Sequence, residues 1–290
     1  MSTQVTTAFV QQFSSNITML AQQRGSKLRG AVSEESVTGE KAFFDQIGST
    51  AAVKKTTRHG DTPLVETPHS RRMVTMDTYE WADLIDDADK VKLLTSPESV
   101  YAQAAAAAMG RAMDDAIITA ATGTSKTGKS GSGSATMLSA NTIAHGSADM
   151  SISKLLQTKK ALDLLDVDPS IPRYICVGPN QIEALLNTTS VTSSDFNTVR
   201  ALVQGTVDSF LGFRFIVSNR LAKSGNIRTC FAWAEDGIKL AMGKDVMARV
   251  DERSDKSYST QVFYCATFGA TRMEEEKVVS IACDESAYGD

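Results

Sequence analysis

Of the 290 residues only three are histidine and four cysteine, and each shortage removes a class of function; the six prolines are few enough for a folded chain. His59, His69 and His145 each stand beside turn-forming or polar residues, as solvated loop histidines do. Cys176, Cys230, Cys265 and Cys283 lie far apart in apolar, strand-like runs (YICVG, TCFAWA, VFYCATFG and VSIACDE) and form no CxxC pair. That distribution points to buried free thiols and away from a zinc site or redox motif. No stretch reaches the roughly 18 apolar residues of a membrane span, and the first thirty residues hold no unbroken apolar run of signal-peptide length. The chain is therefore read as a non-membrane protein made in the cytosol. Neither sign of charge dominates: 30 basic against 34 acidic side chains give a net charge of -4. Without a basic field the protein is not built mainly to grip nucleic acid, and contact with DNA should be weak or local.

Catalytic signatures are also missing. There is no GxSxG elbow, no HExxH and no cysteine with a motif-placed histidine. Asp114 and Asp115 are adjacent, so on a helix they point about 100 degrees apart and form no carboxylate dyad. The run Glu274-Glu275-Glu276 reads as a solvated turn before the last strand. Arg71 and Arg72, at the end of a hairpin, suit a salt bridge between subunits better than phosphate binding. No catalytic, cofactor-binding or metal-ligating residue is assigned, and no cofactor is expected.

What is present is a foldable composition, with 42% hydrophobic and 22% charged residues over a length that permits one large or two smaller domains. Phe9, Phe13, Ile17 and Leu20 recur at helical spacing and predict an amphipathic N-terminal helix. Residues 27–41 (KLRGAVSEESVTGEK) turn polar, with too few apolar side chains to anchor themselves, and read as an arm lying on another surface. Residues 48–77 are rich in Thr, Val and charge around Gly60-Asp61, which predicts a long exposed hairpin, marginal in isolation. Residues 77–94 (DTYEWADLIDDADKVKLL) read as an acidic solvated face rather than a metal site.

The clearest element is a helix over 97–122. Ser96 can cap it, Pro97 suits its first position, Glu98 complements its positive end and Gly123 can close it. It should span roughly 40 Å, and the run Ala104 to Ala108 lets neighbouring backbone come close. Residues 122–134 (TGTSKTGKSGSGS) predict a mobile loop. Within it GTSKTGKS, residues 123–130, satisfies G-x-x-x-x-G-K-[ST]. A phosphate-binding loop joins a buried strand to a helix N-terminus, whereas here a helix precedes and GSGS follows, so the match is read as coincidental. A helix over 152–166, the strand RYICVG, a helix opened by Pro179 and the strand FLGFRFIVS then suggest a layered α/β module. From Cys230 onward the chain is mostly β. There is no internal repeat.

This order of arm, hairpin, long helix, Gly/Ser loop, α/β module and closing strands resembles the major capsid proteins of tailed bacteriophages, the Hong Kong-type capsid fold. The resemblance is carried by residues 79–123 (YEWADLIDDADKVKLLTSPESVYAQAAAAAMGRAMDDAIITAATG), 207–221 (VDSFLGFRFIVSNRL) and 263–282 (FYCATFGATRMEEEKVVSIA). It implies an α+β fold with an N-terminal arm over 1–47 and an E-loop hairpin over 48–77. A peripheral domain would take 78–150, with its spine helix 97–122 and flexible loop 122–134, and the closing strands 244–290. An axial domain would take 151–243. It implies a structural, non-enzymatic protein that self-assembles into the hexamers and pentamers of an icosahedral head around packaged double-stranded DNA. The implied partners are further copies of the chain, a portal, DNA held on the inner face without sequence specificity, and cement or decoration proteins. Arm-like sequence begins directly after Met1, so a separate scaffolding protein is expected. The protein would reside in the virion, and in the host cytoplasm during assembly. The alternatives are the shell of a non-viral nanocompartment of the same fold and a P-loop nucleotide-binding protein. No Lys–Asn cross-linking pair is assigned.

Overall fold

The structure is a computed structural model, and it describes residues 22–58, 61–62, 64–85, 98–187 and 209–286. The N-terminal helix expected over Phe9–Leu20, the cap at Ser96 and Pro97, His59 and Gly60 lie outside the described residues. In chain order the strands are β1 (Ser33–Ser36), β2 (Lys41–Ile47), β3 (His69–Thr75) and β4 (Asp77–Ile85). Helix α1 (Glu98–Thr122) is followed by β5 (Ser125–Thr127), β6 (Gly133–Ala135), β7 (Thr142–Ile143) and helix α2 (Ile152–Leu164). Next come β8 (Arg173–Val177), α3 (Pro179–Leu186), β9 (Ser209–Phe210), β10 (Phe213–Val217), β11 (Lys223–Ser224) and β12 (Ile227–Ala234). The chain closes with β13 (Ile238–Arg253), β14 (Ser259–Arg272) and β15 (Val278–Asp284). Two compact units result: residues 1–26, 78–112 and 244–267 form one, and 27–77, 113–243 and 268–290 the other.

The larger unit, 27–77 with 113–243 and 268–290, is organised by a mixed sheet in the order β7-β15-β12-β8-β10-β9, with β11 on β12. β8 is parallel to β10 and antiparallel to β12. All five residues of β8, RYICV, are buried, which is why it reads as a continuous apolar run rather than an alternating one. Trp233 stacks on Tyr174 at 5.7 Å and tilts against Phe231 at 4.9 Å. Helix α2 starts where the Ser151 hydroxyl accepts the Lys154 amide, and it packs on β15 with Leu155 and Leu162 fully buried. A second, antiparallel sheet runs β2-β3-β5-β6. The alternation of β2 sends Ala42 and Phe44 into a cluster with Val74, Met76, Ala241 and Met273.

In the smaller unit lie the first part of α1, β4 from Thr78, and the portions of β13 and β14 between Lys244 and Thr267. Helix α1 extends roughly 38 Å over its 25 residues. Ala105, Met109, Met113, Ile117 and Ala121 are all buried, and their spacing of four puts them on one stripe. Outside the alanine run, at Gly110, a neighbouring backbone comes close enough that a Cβ would overlap Gly25 and Ser26.

Two expectations need correction. Residues 27–41 do not lack an anchor: Leu28, Ala31 and Val32 are buried, and β1 pairs in parallel with β13 from Ser33 on Lys239 to Ser36 on Met242. Three apolar side chains suffice because the backbone is held as well. The amides of Lys27 and Leu28 donate to the fully buried Asp114 carboxylate at 3.1 Å, and the Trp233 indole donates to the Ala31 carbonyl at 2.8 Å. The Gly/Ser segment 122–134 is likewise not a free loop. β5 pairs with the exposed edge of β3, and Gly128 and Gly131, both with positive φ, turn the chain back into β6.

Candidate assembly surface

Between Ile47 and His69 the described residues form no helix or strand. Their neck closes where the Gly48 amide donates to the Pro68 carbonyl at 2.8 Å. Beyond it, residues 49–58, 61–62 and 64–67 carry no strand and are exposed throughout. Val53 is 60% exposed and Leu64 98%. The long hairpin expected over 48–77 is therefore displaced: its ladder runs from Lys41 on Thr75 to Ile47 on His69, at the root. A two-stranded ribbon holds only where another layer covers one face. β5 and the cluster around Phe44 supply that at the root, and nothing described supplies it further out.

The root itself is stiff. Asp45 sits directly opposite Arg71, whose Nε and Nη2 donate to its two carboxylate oxygens at 2.5 and 3.0 Å while the guanidinium lies 5.5 Å over the Phe43 ring. The hydrogen bond from Arg71 holds the Asp45 carboxyl below its ordinary range. Arg72 donates to the Met273 carbonyl at 2.7 Å and to Glu275 Oε2 at 2.5 Å. Both arginines, expected to bridge between subunits, are thus paired within the chain. Glu275, expected in a solvated turn, is buried, because the β3 register brings Arg72 onto it from 203 residues away. Glu274 does stay partly exposed, pairing with Lys277 at 3.1 Å.

Behind the root, Arg272 ties the end of α1 to the same sheet. Its fully buried guanidinium donates to the carbonyls of Ala121 at 2.9 Å, Gly123 at 2.7 Å and Ala135 at 3.1 Å. A cation at a helix C-terminus meets unpaired carbonyls and the negative end of the dipole. The pattern GTSKTGKS is absorbed here, with Gly123 ending the helix, Ser125–Thr127 in β5 and the turn leading to β6, so no helix follows Ser130. Asp114 and Asp115 diverge as their spacing requires, Asp114 to the amides of Lys27 and Leu28 and Asp115 to Arg220. His69 and His145 are exposed, and all four cysteines are buried and free. Burial pushes the Cys176 thiol up to about 12. Among the described residues no group of carboxylates, histidines or cysteines could hold a metal, and no helix is long and apolar enough to cross a membrane. No signal in the sequence alone marks Arg272 or Glu275, since each depends on a partner far along the chain.

The phage capsid protein family matches residues 5–285. Among solved structures, the capsid of cyanophage P-SCSP1u superposes with a TM-score of 0.76 at 14% identity, over 97% of this chain and 95% of that one. The capsid of Ralstonia phage GP4 gives 0.74 at 10% identity over 97% and 96%. The cyanophage Pam1 capsid gives 0.69 at 13% over 98% of both chains. No curated protein matches by sequence. At such identities the likeness is one of fold, and that fold is the α+β capsid type anticipated from the order of elements.

Proposed function

The chain belongs to the phage capsid protein family, and from that premise we propose that its copies close into the hexamers and pentamers of an icosahedral head around packaged double-stranded DNA. The protein is structural and a component of the virion. The observation that carries the assembly mechanism is the exposure of residues 48–58, 61–62 and 64–68 beyond a paired root. Polypeptide too polar to fold alone, with Val53 and Leu64 in solvent, gains order and buried area only against another surface. Head-to-tail contacts of this sort generate closed rings when the rotation between copies closes. Residues 48–77 then act as the E-loop, 78–150 and 244–290 as the peripheral domain and 151–243 as the axial domain. A separate scaffolding protein, a portal, cement proteins and DNA on the inner face complete the partners in this reading. Because β3 begins at His69, the informative deletion is 50–67, replaced by a short Gly-Ser turn. It should leave a folded, soluble subunit that forms no stable shells. Intact heads from that variant would overturn the proposal.

A further inference from the structure

Glu275 stands between two arginines and makes a hydrogen bond with only one of them. Its Oε2 accepts from Arg72 Nη2 at 2.5 Å, while its Oε1 lies 3.8 Å from Arg272 Nε, too far for a hydrogen bond. That oxygen and that nitrogen are both shut off from solvent, and among the described residues neither has a hydrogen-bond partner. A third such atom belongs to the neighbouring sheet. The Ser125 hydroxyl is buried without a partner among the described residues, and Ser125 sits across from Ala135, whose carbonyl accepts from Arg272 Nη2 at 3.1 Å. Because Thr127 is paired with Arg72, alternation puts Ser125 on the same side of the sheet as Arg72.

A charged donor and a charged acceptor, both buried and both unsatisfied, are costly to an interior, and two arrangements remove the cost. Either the side chains close on each other or something bridges them. Closure is opposed at both ends. Arg272 is fixed by the carbonyls of Ala121, Gly123 and Ala135, and Glu275 is fixed by Arg72, so the roughly 0.9 Å approach that a direct bond needs would stretch bonds already made. The chemistry of the gap also selects the bridge. One wall is a cationic donor and the other an anionic acceptor, so a cation is repelled by the first and an anion by the second. What fits is a small neutral molecule that accepts and donates at once. We propose that a single ordered water bridges Arg272 Nε and Glu275 Oε1, accepting from the guanidinium and donating to the carboxylate, with the Ser125 hydroxyl as its third partner. Buried waters make about three hydrogen bonds to polar groups that otherwise lack partners, and polar contacts longer than about 3.5 Å are where bridging waters sit. The bridge completes a line of hydrogen bonds that starts at the carbonyls closing α1 and runs through Arg272, the water and Glu275. It ends on Arg72, inside the ladder of β2 and β3.

The test uses the wild-type protein, so it does not depend on a variant that folds. An experimental density map of the subunit, at a resolution that shows ordered waters, should hold a peak within roughly 2.7–3.2 Å of both Arg272 Nε and Glu275 Oε1. Direct contact between those two atoms overturns the site, and so does a gap between them without a peak. Nuclear magnetic resonance supplies the second arm in solution. In isotope-labelled protein the Arg272 Nε–H proton, assigned through its own side-chain carbons, should show a rotating-frame cross-peak to water of the sign that through-space contact gives. No cross-peak at a resolved Nε–H signal contradicts the bridge. A peak of the opposite sign, which reports proton exchange with bulk solvent, contradicts it too.

Discussion

Arg272 donates a 2.7 Å hydrogen bond to the carbonyl of Gly123, the residue at which the long helix ends, and the two are 149 positions apart in the chain. The same guanidinium reaches Ala121 and Ala135, so one buried side chain joins the end of the helix to β6 of the neighbouring sheet. Burial lowers the Arg272 pKa, partly offset by Glu275, whose Oε1 lies 3.8 Å from Arg272 Nε.

Replacing Arg272 by methionine should therefore cost more than a typical core change. Three carbonyls lose their donor, and each buried acceptor left unsatisfied costs about 1–3 kcal/mol. Urea unfolding of the subunit should show a loss of roughly 3 kcal/mol or more, while a loss below about 1 kcal/mol would mean that water replaces the guanidinium.

Asp114→Ala should release the chain around Lys27. The buried carboxylate accepts from two backbone amides, and hydrogen bonds to a charged group contribute about 1.5–3 kcal/mol each. Limited proteolysis should cut the variant between residues 24 and 36 well before the body is attacked. Wild-type protein should resist there.

Acid should weaken the fold through Glu285. Burial pushes its carboxyl up, but hydrogen bonds from Arg228 and Gln181 outweigh that, and the net direction is below its ordinary value. A carboxyl with a depressed folded pKa contributes stability that is full above its unfolded value of about 4.3 and is lost as pH falls through the folded one. Glu285→Gln should be less stable than wild type at pH 7 and show a shallower decline below about pH 5. Asp45, Asp168, Asp255 and Asp284 are also held low, so the variant's slope should shrink and not vanish. Equal slopes would show that Glu285 does not titrate with unfolding.

None of the four thiols should react with a disulfide reagent in the native subunit at pH 8, and all four should react in denaturant. Burial excludes the reagent and raises the Cys176 thiol to about 12. A fast-reacting thiol in native protein would contradict the packing of β8, β12, β14 and β15.

Much of this fold was legible in the sequence where a periodic signal existed. Helix α1 announced itself by Glu98 and the closing Gly123, and β8 by an unbroken apolar run. The outer half of β13 (GKDVMARVDER) was not legible as strand, because both faces are exposed and no alternation survives. β5 and β6 are built from Gly, Ser, Thr, Lys and Ala, and become strands only because β3 offers them an edge. The described residues between Gly48 and Pro68 mislead in the other direction: their Thr and Val favour a ladder, yet among the described residues no second layer covers them. The burial of Glu275 needed Arg72 in register, information that no local window holds.

Electron microscopy of the purified full-length protein, at concentrations where subunits meet, tests the central claim most directly. The account predicts closed icosahedral particles whose facets resolve into rings of six and vertices into rings of five. A population that stays monomeric at every concentration, with residues 48–68 folded onto the subunit that bears them, would contradict it.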